Sequence, residues 1–412
     1  MRRMIASLDV HKRMLMLIVG DADALQGELR KTRFLTTPSD LERLKQWLLD
    51  QGVSEVVMES TAQYWKPIWL ALEGPFKLVL AQAWSNRARP GKKADFKDAE
   101  RLLRRFVAGE LVLSFVPDAE QREMRSVTRR REQLVSDRVR VQNQVESLLE
   151  ETRIKLSSFV TDLFGSSGLR ILAALAEGIT DPAQLVKLAD TRLKCTTEEL
   201  ADALNGSIST VHQKLLKQSL DQLDVIDRQI TEVVKMAGDL MAGHQDALKR
   251  LAAIPGIRVV TAQHIIAEAG PTASAFDSAA QFSSWVGAAP GRNESAEVNK
   301  SSRCAKGNAH LRRVLCQAAQ AAVRTKNSFF ESKFNRLISR LGYPKAIWAI
   351  ARHLSVVIWK VLHQGESYIE YGAPTNPQAA KRRIQRLQKE FRALGYLVDL
   401  TPITTAPEAS RA

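Results

Sequence analysis

The amino-acid sequence predicts an α/β domain at the N-terminus, followed by an all-α remainder. Within the first 115 residues, short β-prone segments alternate with amphipathic helical segments. Two later stretches carry apolar residues at seven-residue intervals, and the apolar segments after residue 251 have helical length. A chain of 412 residues is long enough for two or three domains.

Five strands and three helices are expected in the N-terminal domain, in the order β-β-β-α-β-α-β-α. The strands are predicted at 4–10, 14–20, 28–35, 54–60 and 76–81. The first helix begins at Pro38, with Thr37 as its cap and Asp40 completing a capping-box-like pattern, and it ends at Gly52. The other helices are predicted at 64–73 and 95–108. Three leading strands followed by alternating units indicate a mixed sheet with helices on its faces.

The middle of the chain carries two heptad-like stretches. The repeated positions are Val127, Leu134, Val141 and Leu148 in the first, and Leu216, Leu223, Ile230 and Ala237 in the second. This spacing predicts long helices that pair as a coiled coil, within the chain or between chains. Two amphipathic helices of a bundle would show the same spacing. Residues 168–206, between them, read as a small helical insert with turns at Gly178 and Asn205-Gly206.

The last part of the chain begins with a helical hairpin at 251–270, followed by helices near 307–325, 328–341 and 344–364. The Pro-Gly turn of the hairpin could present the N–H groups of Gly256 and Ile257 to a phosphate, although buried hairpins also use Pro-Gly. The expected domains are therefore 1–115, 116–245 as a helical coiled-coil region, 246–370, and a basic, partly disordered tail at 371–412.

The charge balance points to a polyanionic partner. Sixty Lys and Arg residues against 45 Asp and Glu residues give a net charge of +15 and a pI near 9.8. Nucleic acid is the first candidate and an anionic membrane surface the second, while a merely solvated basic surface would have the same charge.

The remaining composition favours a cytosolic protein. Three cysteines without CxxC or Cys/His spacing argue against zinc and fit a reducing compartment. The N-terminus reaches Asp9 and His11 too soon for a signal peptide. The apolar stretch 346–362 is interrupted by Arg352 and His353, so we predict a buried helix there rather than a membrane span.

Four acidic residues of the first domain could form one metal site: Asp9, Glu59, Asp95 and Asp98. Asp9 lies in the first strand, Glu59 ends the fourth, and the other two share a helical face. Converging carboxylates need divalent cations between them, and oxygen ligands favour Mg²⁺ or Mn²⁺. Individually, each acid also has an ordinary explanation as a strand end, a surface residue or a helix N-terminal charge.

A basic loop, "GRNESAEVNKSSRCAKGNAHLRR" at 291–313, is the second candidate site. The expected phosphate contacts are Arg292, Lys300, Arg303, Lys306, Arg312 and Arg313. Ser295, Ser301 and Ser302 lie among them, and His310 is the only histidine nearby. No Ser-His-Asp pattern is evident, so the loop alone does not decide between a phosphate grip and a nucleophile. For Ser301 and Ser302 we favour phosphate hydrogen bonding or capping, and for Lys306, Gly307 and Asn308 a turn and helix cap.

Four blocks of the sequence resemble a known family. "SLDVHK", "VMESTAQYW", "ADFKDAERL" and "NES…KGNAHLRR" look like the signature blocks of the DEDD insertion-sequence transposases of the IS110 family, also described as bridge-RNA-guided recombinases. The resemblance extends from about residue 4 to 365. It implies a RuvC-like domain of RNase H fold, a coiled-coil region and a C-terminal transposase domain.

The resemblance also implies roles for individual residues. Asp9, Glu59, Asp95 and Asp98 would be the metal-binding tetrad, and Ser295 the nucleophile that forms a phosphoserine link to a DNA end. Two departures concern the serine loop: Ala296 stands where glycine is common, and "WVGAAPGRN" has alanines where leucine is frequent. The implied partners are donor and target DNA, a structured guide RNA, and further copies of the chain in a dimer or tetramer.

Three functions remain open at this point. The first is a recombinase of mobile-element type. The second is a RuvC-like nuclease or resolvase that hydrolyses DNA through water, with Ser295 only a phosphate ligand. The third is a nucleic-acid-binding scaffold without catalysis. A trapped protein–DNA adduct would separate the first from the other two.

Overall fold

The protein was analysed as a computed structural model. It describes residues 3–24, 28–59, 62–86, 95–190, 195–291, 293–295, 298–301, 303–372 and 377–398. Only the backbone is described at 95, 293–295, 298–301 and 377–383. The chain divides into two compact units, Met1–Asp118 and Ala119–Ala412.

The first unit contains the predicted mixed sheet of five strands. These are β1 (Met4–Val10), β2 (Met14–Asp21), β3 (Arg30–Leu35), β4 (Val53–Glu59) and β5 (Lys77–Ala81), in the spatial order β3-β2-β1-β4-β5. The first three pair antiparallel, whereas β4 runs parallel to both β1 and β5. Strands one and four are therefore adjacent, as a metal site shared by Asp9 and Glu59 requires, and Leu8 is level with Met58.

Helices cover both faces of this sheet. On one face, α1 (Pro38–Asp50) and α2 (Trp65–Leu72) pack on the even-numbered residues of β1, around Leu8, Leu44 and Ile68. On the other, α3 (Asp95–Val107) packs through Ala99 and Leu103 on Ile5 and Ile18. A 3₁₀ turn, Ala83–Asn86, follows β5. The expected α/β architecture of the N-terminal domain is confirmed.

One local detail of α1 was predicted wrongly. Thr37 occupies the N-cap position and Pro38 the first turn, but the Thr37 side chain makes no capping bond to the backbone. Its hydroxyl instead donates to Asp40 Oδ2 at 2.9 Å. Because Asp40 also pairs with Arg43, its carboxylate is held by side chains rather than by the N-cap amide that a capping box requires.

Two long helices dominate the start of the second unit. These are α4 (Ala119–Glu151) and α9 (Thr210–Leu240), which pack against each other within the chain. They run antiparallel, since Val145 packs near Leu216 while Leu134 packs near Leu223 and Ile226. Arg138 and Asp227 join the two helices by an ion pair, with Nε and Oδ1 2.6 Å apart. The long helices were expected, and a coiled-coil geometry for them stays a prediction.

A helical insert caps the far end of this pair, and it begins before the predicted range of 168–206. It contains α5 (Leu156–Phe159), α6 (Ser166–Ala176), α7 (Pro182–Val186) and α8 (Thr197–Leu204). Their apolar side chains share a core with Val145, Leu149 and Leu216 of the long helices. The turn at Gly206 is tight, because a Cβ there would lie 2.4 Å from the carbonyl oxygen of Thr152.

The described residues in the rest of the second unit are mostly helical and include a two-stranded hairpin. The helices are α10 (Gln245–Ala252), α11 (Val259–Ala269), α12 (Ala279–Val286), α13 (Ala309–Ala322), α14 (Phe329–Leu341), α15 (Tyr343–His363) and α16 (Pro377–Ala393). The hairpin is β6 (Asn293–Ser295) and β7 (Val298–Ser301), where the sequence predicted a loop. The tail, predicted to be partly disordered, contains α16.

The apolar stretch predicted to be a buried helix lies in α15. Within the described residues, α15 is the one helix whose length and hydropathy would allow it to cross a membrane, and 56% of that apolar window is buried inside the protein. It packs against α10, α12, α13 and α14. Its apolar character is therefore accounted for by its position in the core of the bundle.

Candidate functional site

Two of the predicted acidic residues lie at one edge of the sheet. Leu8 is level with Met58 across the parallel β1–β4 pair, so Asp9 and Glu59 follow them on adjacent strands. Side chains alternate along a strand, which places both on the face that α3 covers, the face of Ile5 and Val57. The Asp9 side chain is only 19% exposed, and its Oδ2 lies 3.2 Å from His11 Nε2.

A chain of polar contacts connects Glu59 to Asp98 of α3. Asn86, in the 3₁₀ turn, donates from Nδ2 to Glu59 Oε2 at 2.9 Å. Its backbone oxygen accepts from Arg101 Nε at 3.1 Å, and Arg101 Nη2 lies 2.8 Å from Asp98 Oδ1. Glu59 and Asp98 thus lie on either side of Asn86 and Arg101. The backbone of Asp95 begins α3, three residues before Asp98.

The expected convergence of carboxylates on one ion is not present in this arrangement. Among the described residues, no group of three or more His, Cys, Asp or Glu side chains could hold a metal ion. The donor set nevertheless suits one. It offers only oxygen, and the Asp98 Oδ1 atom is shielded from solvent and accepts no well-aligned hydrogen bond in the described part of the unit. A divalent ion would have to displace Arg101 from Asp98.

The predicted nucleophile lies on the β6–β7 hairpin of the second unit. Ser295 pairs with Val298, and Asn293 pairs with Ser301. At the base of this hairpin, backbone segments approach each other closely at three glycines, Gly287, Gly291 and Gly307. A Cβ on Gly291 would lie 2.6 Å from Arg303 O, and one on Gly307 would lie 2.4 Å from Gly287 N. Gly307 also has φ +55°, which favours glycine.

Asn308 confirms the turn and cap predicted at the end of this segment. Its Oδ1 accepts from Leu311 N at 3.1 Å at the start of α13, and its own N–H donates to Trp285 O at 3.0 Å. Ser301 is part of β7, whereas Ser302 lies outside the described residues.

Of the six predicted phosphate contacts around the hairpin, two are exposed, two have protein partners, and two have side chains outside the described residues. Arg303 and Lys306 are exposed. Arg312 instead donates to the carbonyl oxygens of Gly287 at 2.8 Å and Ala305 at 3.0 Å, with its guanidinium 4.2 Å from the Trp348 ring centre. Arg313 forms an ion pair with Glu132. Arg292 lies outside the described residues, and for Lys300 only the backbone is described.

The helical hairpin with the Pro-Gly turn is packed into the core. Gly256 has φ +83°, and a Cβ there would lie 2.3 Å from Ala318 O in α13. Ile257 is 3% exposed, and its N–H donates to Ile254 O at 3.0 Å. In this arrangement the turn makes helix-to-helix contact, and Ile257 does not offer its N–H to a ligand.

A buried carboxylate, Glu268 of α11, lies beneath the hairpin base. It is 2% exposed and accepts from Arg129 Nε at 2.8 Å, Arg129 Nη2 at 2.9 Å and Asn308 Nδ2 at 2.7 Å. Arg125 Nε lies 3.4 Å away. Burial raises the pKa of Glu268, but the bonds and charges of these partners outweigh that effect and hold the pKa below its usual value. Glu268 therefore remains ionised and fixes Asn308.

Two histidines near Glu268 are kept neutral. Burial, with the charge of Arg131 as a further cause, lowers the pKa of His264 to about 4. Burial also lowers the pKa of His310, helped by Arg129 and Arg125. His310 Nδ1 lies 2.6 Å from Glu132 Oε2.

Sequence reasoning missed Asn86 and Glu268 as parts of the two sites. Asn86 follows β5 in a four-residue turn that carries no periodicity. Glu268 sits in an apolar helix, and its partner Arg129 is 139 positions away in the sequence. The one available signal was a charged residue within the apolar run "HIIAEAG", which calls for a buried partner.

Comparison with known proteins identifies both units. A model described as "Transposase IS116/IS110/IS902 family" matches residues 248–334, and the DEDD transposase model of IS110 matches residues 6–154. The chain is 25% identical over 325 residues to the transposase for insertion sequence element IS1111A of Coxiella burnetii, covering 76% of this chain and 79% of that protein. It is 26% identical over 323 residues to a "Probable family 20 transposase" of Pseudomonas aeruginosa, covering 76% and 85%. The match over residues 6–154 contains Asp9, Glu59, Asp95 and Asp98, and the match over residues 248–334 contains Ser295. The chain therefore belongs to the IS110 family of insertion-sequence transposases.

Proposed function

We propose that this transposase cuts and rejoins DNA through a covalent phosphoserine intermediate on Ser295, with Asp9, Glu59, Asp95 and Asp98 holding Mg²⁺ or Mn²⁺. The observation that carries the proposal is the position of Ser295. It lies on a hairpin anchored by backbone contacts at Gly287, Gly291 and Gly307, within the matched transposase region. Such anchoring suits a nucleophile, because a displacement of about 1 Å can cost on the order of 100-fold in rate.

The serine step conserves the number of phosphodiester bonds. The Ser295 hydroxyl oxygen bonds to the scissile phosphorus as the bond from phosphorus to the leaving deoxyribose oxygen breaks. The serine hydroxyl loses a proton in this step, and the leaving deoxyribose oxygen gains one to become a hydroxyl. A second strand end with a free hydroxyl then attacks the phosphoserine and releases the serine. No ATP is needed, since the ester retains the energy of the original bond.

The acidic edge of the first unit would hold the metal. When bound there, a divalent ion would polarise the phosphodiester and stabilise charge on the attacking and leaving oxygens. Asp9 and Glu59 would provide carboxylates from adjacent strands, and Asp98 one from α3. Around the serine, exposed Arg303 and Lys306 would neutralise phosphate charge.

The test is to trap the adduct. Wild type, Ser295→Ala and Ser301→Ala are incubated with Mg²⁺, DNA carrying the element ends, and the non-coding RNA transcribed from its flank. We expect a covalent protein–DNA band on a denaturing gel for wild type and Ser301→Ala, mapped to Ser295 by mass spectrometry. Ser295→Ala should bind DNA nearly normally, because affinity comes mostly from Lys and Arg contacts, but lose several orders of magnitude in strand exchange.

Other outcomes identify the alternatives. Metal-dependent nicking without any adduct would indicate a RuvC-like hydrolytic nuclease, and binding without cleavage would indicate a scaffold. An adduct on Ser301 or Ser302 would contradict the choice of nucleophile. Unimpaired cleavage by Asp9→Asn would contradict the metal site. Omitting the RNA tests guidance, since a guided recombinase should then lose strand exchange.

We further propose that the protein acts as a homodimer or tetramer in the bacterial cytosol, bound to the nucleoid. Mixing an Asp9→Asn chain with a Ser295→Ala chain distinguishes two forms of the active site. Recovered recombination would support a site shared between copies, whereas no recovery would support a site within one chain. Sedimentation with both nucleic acids present gives the oligomeric state, and a monomer at micromolar concentration would contradict this assembly.

A further inference from the structure

Trp84 is an exposed tryptophan beside the acidic edge of the first unit. It exposes 59% of its surface, although tryptophan is usually among the most buried side chains on average. It lies in the 3₁₀ turn Ala83–Asn86 that follows β5. Two residues further, in the same turn, Asn86 is 3% exposed and contacts Glu59. The turn thus directs one side chain inward to a candidate metal ligand and another outward.

The turn that carries Trp84 is held rigidly. Arg105 Nη1 donates to Ser85 O at 2.7 Å, and Arg101 Nε donates to Asn86 O at 3.1 Å, so α3 fixes the turn from beneath. The indole itself is oriented, since its Nε1 donates to Gln82 Oε1 at 2.6 Å. An exposed ring that is already fixed loses little conformational entropy when it binds a ligand.

The position of the turn connects it with the candidate site. β4 and β5 run parallel and end at the same edge of the sheet, where Glu59 is level with Ala81. Ligands of open α/β sheets bind at the carboxyl ends of parallel strands. Tyr64, 39% exposed, follows β4 at this edge as Trp84 follows β5.

We propose that Trp84 is a stacking platform for an unpaired base of the DNA strand that the acidic edge acts on. The inference rests on the proposed function. Aromatic side chains combined with positive charge are the usual means of binding single-stranded nucleic acid, and the turn that carries Trp84 rests on Arg101 and Arg105 of α3. Ser85 and Asn86, which follow Trp84 in the turn, are polar, whereas Val112 and Leu113 beside Gln82 are exposed and apolar, so a protein partner is the alternative that the test excludes.

The test measures binding without chemistry. Full-length wild type, Trp84→Ala, Trp84→Leu and Trp84→Phe are titrated in EDTA against a fluorescent single-stranded DNA, the same sequence as a duplex, and single-stranded RNA. Stacking on one base contributes about 1–3 kcal/mol, which corresponds to roughly 5- to 150-fold in affinity. We expect about tenfold weaker single-stranded DNA binding for Trp84→Ala and Trp84→Leu, near wild-type binding for Trp84→Phe, and less than twofold change for the duplex.

Leu70→Ala is the matched control. Leu70 is 60% exposed on α2 of the same unit, so its truncation removes a similarly exposed apolar side chain without an aromatic face. It should bind all three ligands as wild type does. Should Trp84→Ala fail to fold, the comparison of Trp84→Leu with Trp84→Phe still decides the question.

Several results would overturn the proposal: unchanged binding by Trp84→Leu, an equal loss with the duplex, a loss confined to RNA, or a loss as large for Leu70→Ala. An equal loss with single-stranded DNA and RNA would support base stacking. Because no strand is cut in EDTA, this measurement is independent of the serine experiment. Absence of an adduct on Ser295 would refute the proposed function and leave the Trp84 result standing.

Discussion

At the scale of single residues, Glu268 shows how a buried charge is kept. Its carboxylate is 2% exposed and is surrounded by Arg125, Arg129 and Asn308. The folded-state pKa lies below the ordinary value of 4.5. A depressed carboxyl pKa stabilises the fold at pH values above the unfolded-state pKa. That contribution is lost as the pH falls through 4.5 toward the folded-state pKa.

We predict that Glu268→Gln lowers the free energy of unfolding by about 3 kcal/mol at neutral pH, because two arginines lose their buried counter-charge. The difference from wild type should shrink below pH 4.5. Denaturant unfolding across a pH series measures both effects. Asp227→Asn is the control, since its ion pair with Arg138 is about half exposed and should contribute less than about 1 kcal/mol. Equal losses in the two variants would contradict this account of Glu268.

At the scale of elements, the α10–α11 turn can contact α13 only because the turn has a glycine, which lacks a Cβ, at the point of contact. A Cβ added at Gly256 would lie 2.3 Å from the carbonyl oxygen of Ala318. The atoms nearest to that Cβ all belong to the backbone of α13, so no flexible side chain could move to make room for it. The α11–α13 interface also contains Glu268 and Asn308, so its spacing determines whether their 2.7 Å hydrogen bond can form.

Gly256→Ala should therefore destabilise the second unit by about 3 kcal/mol or more, through steric clash and through the positive φ. Gly365→Ala separates the two causes. Gly365, in the same unit, has φ +70° and open space around a Cβ, so only the conformational cost of about 1–2 kcal/mol applies. Chemical denaturation of both variants gives the comparison. Similar values would show that the backbone yields and that the close approach is not needed.

At the scale of the whole molecule, the first unit contains a complete core of its own. Its sheet and three helices bury Leu8, Leu17, Leu44 and Met58 entirely. The segment after α3 closes the exposed edge of β5, where Gln82 N donates to Val112 O at 2.8 Å and Ser114 N to Leu80 O at 2.7 Å. An edge strand covered in this way is protected from pairing with other chains.

We expect residues 1–118 to fold alone and to unfold cooperatively, as followed by circular dichroism. A fragment of residues 1–108 removes the edge-covering segment while keeping every strand and helix of the unit. It should be less stable and more prone to aggregate in sedimentation. A longer fragment that is unfolded, or a shorter one of equal stability and solubility, would count against an autonomous unit.

The sequence predicted the sheet of this molecule much better than its sites. Strands β1 and β4 were predictable because apolar residues concentrate there between turn signals. Their adjacency, which places Asp9 beside Glu59, was a condition of the predicted metal site and is given by the structure. The hairpin around Ser295 was not predicted, since "NES" and "VNKS" are short and largely polar. Its anchoring depends on glycines that contact distant backbone, and such contacts leave no periodic pattern in a sequence.

Contacts that leave no sequence pattern also explain why the arrangement of the acidic edge was not predicted. Sequence spacing placed Asp98 on α3 correctly, but it could not show that Arg101, one turn later on that helix, would reach back to its carboxylate. A side chain that neutralises an acid can be identified only when three-dimensional proximity is known.

The length of the antiparallel pair of α4 and α9 sets the distance between the helical insert and α11 in the second unit. At about 1.5 Å per residue, the 33 residues of α4 span roughly 50 Å. Arg125 and Arg129 near one end contact α11, and Val145 and Leu149 near the other join the core of the insert. Removing seven residues from each helix would bring the insert about 10 Å closer to α11 and leave its rotational phase almost unchanged, because seven residues make nearly two turns. Removing a single residue from each would shorten the span by only about 1.5 Å yet turn each helix by about 100°. A change in the distance between the insert and α11 that preserves both sets of contacts therefore comes only in steps of nearly whole turns, and the helical repeat sets their size.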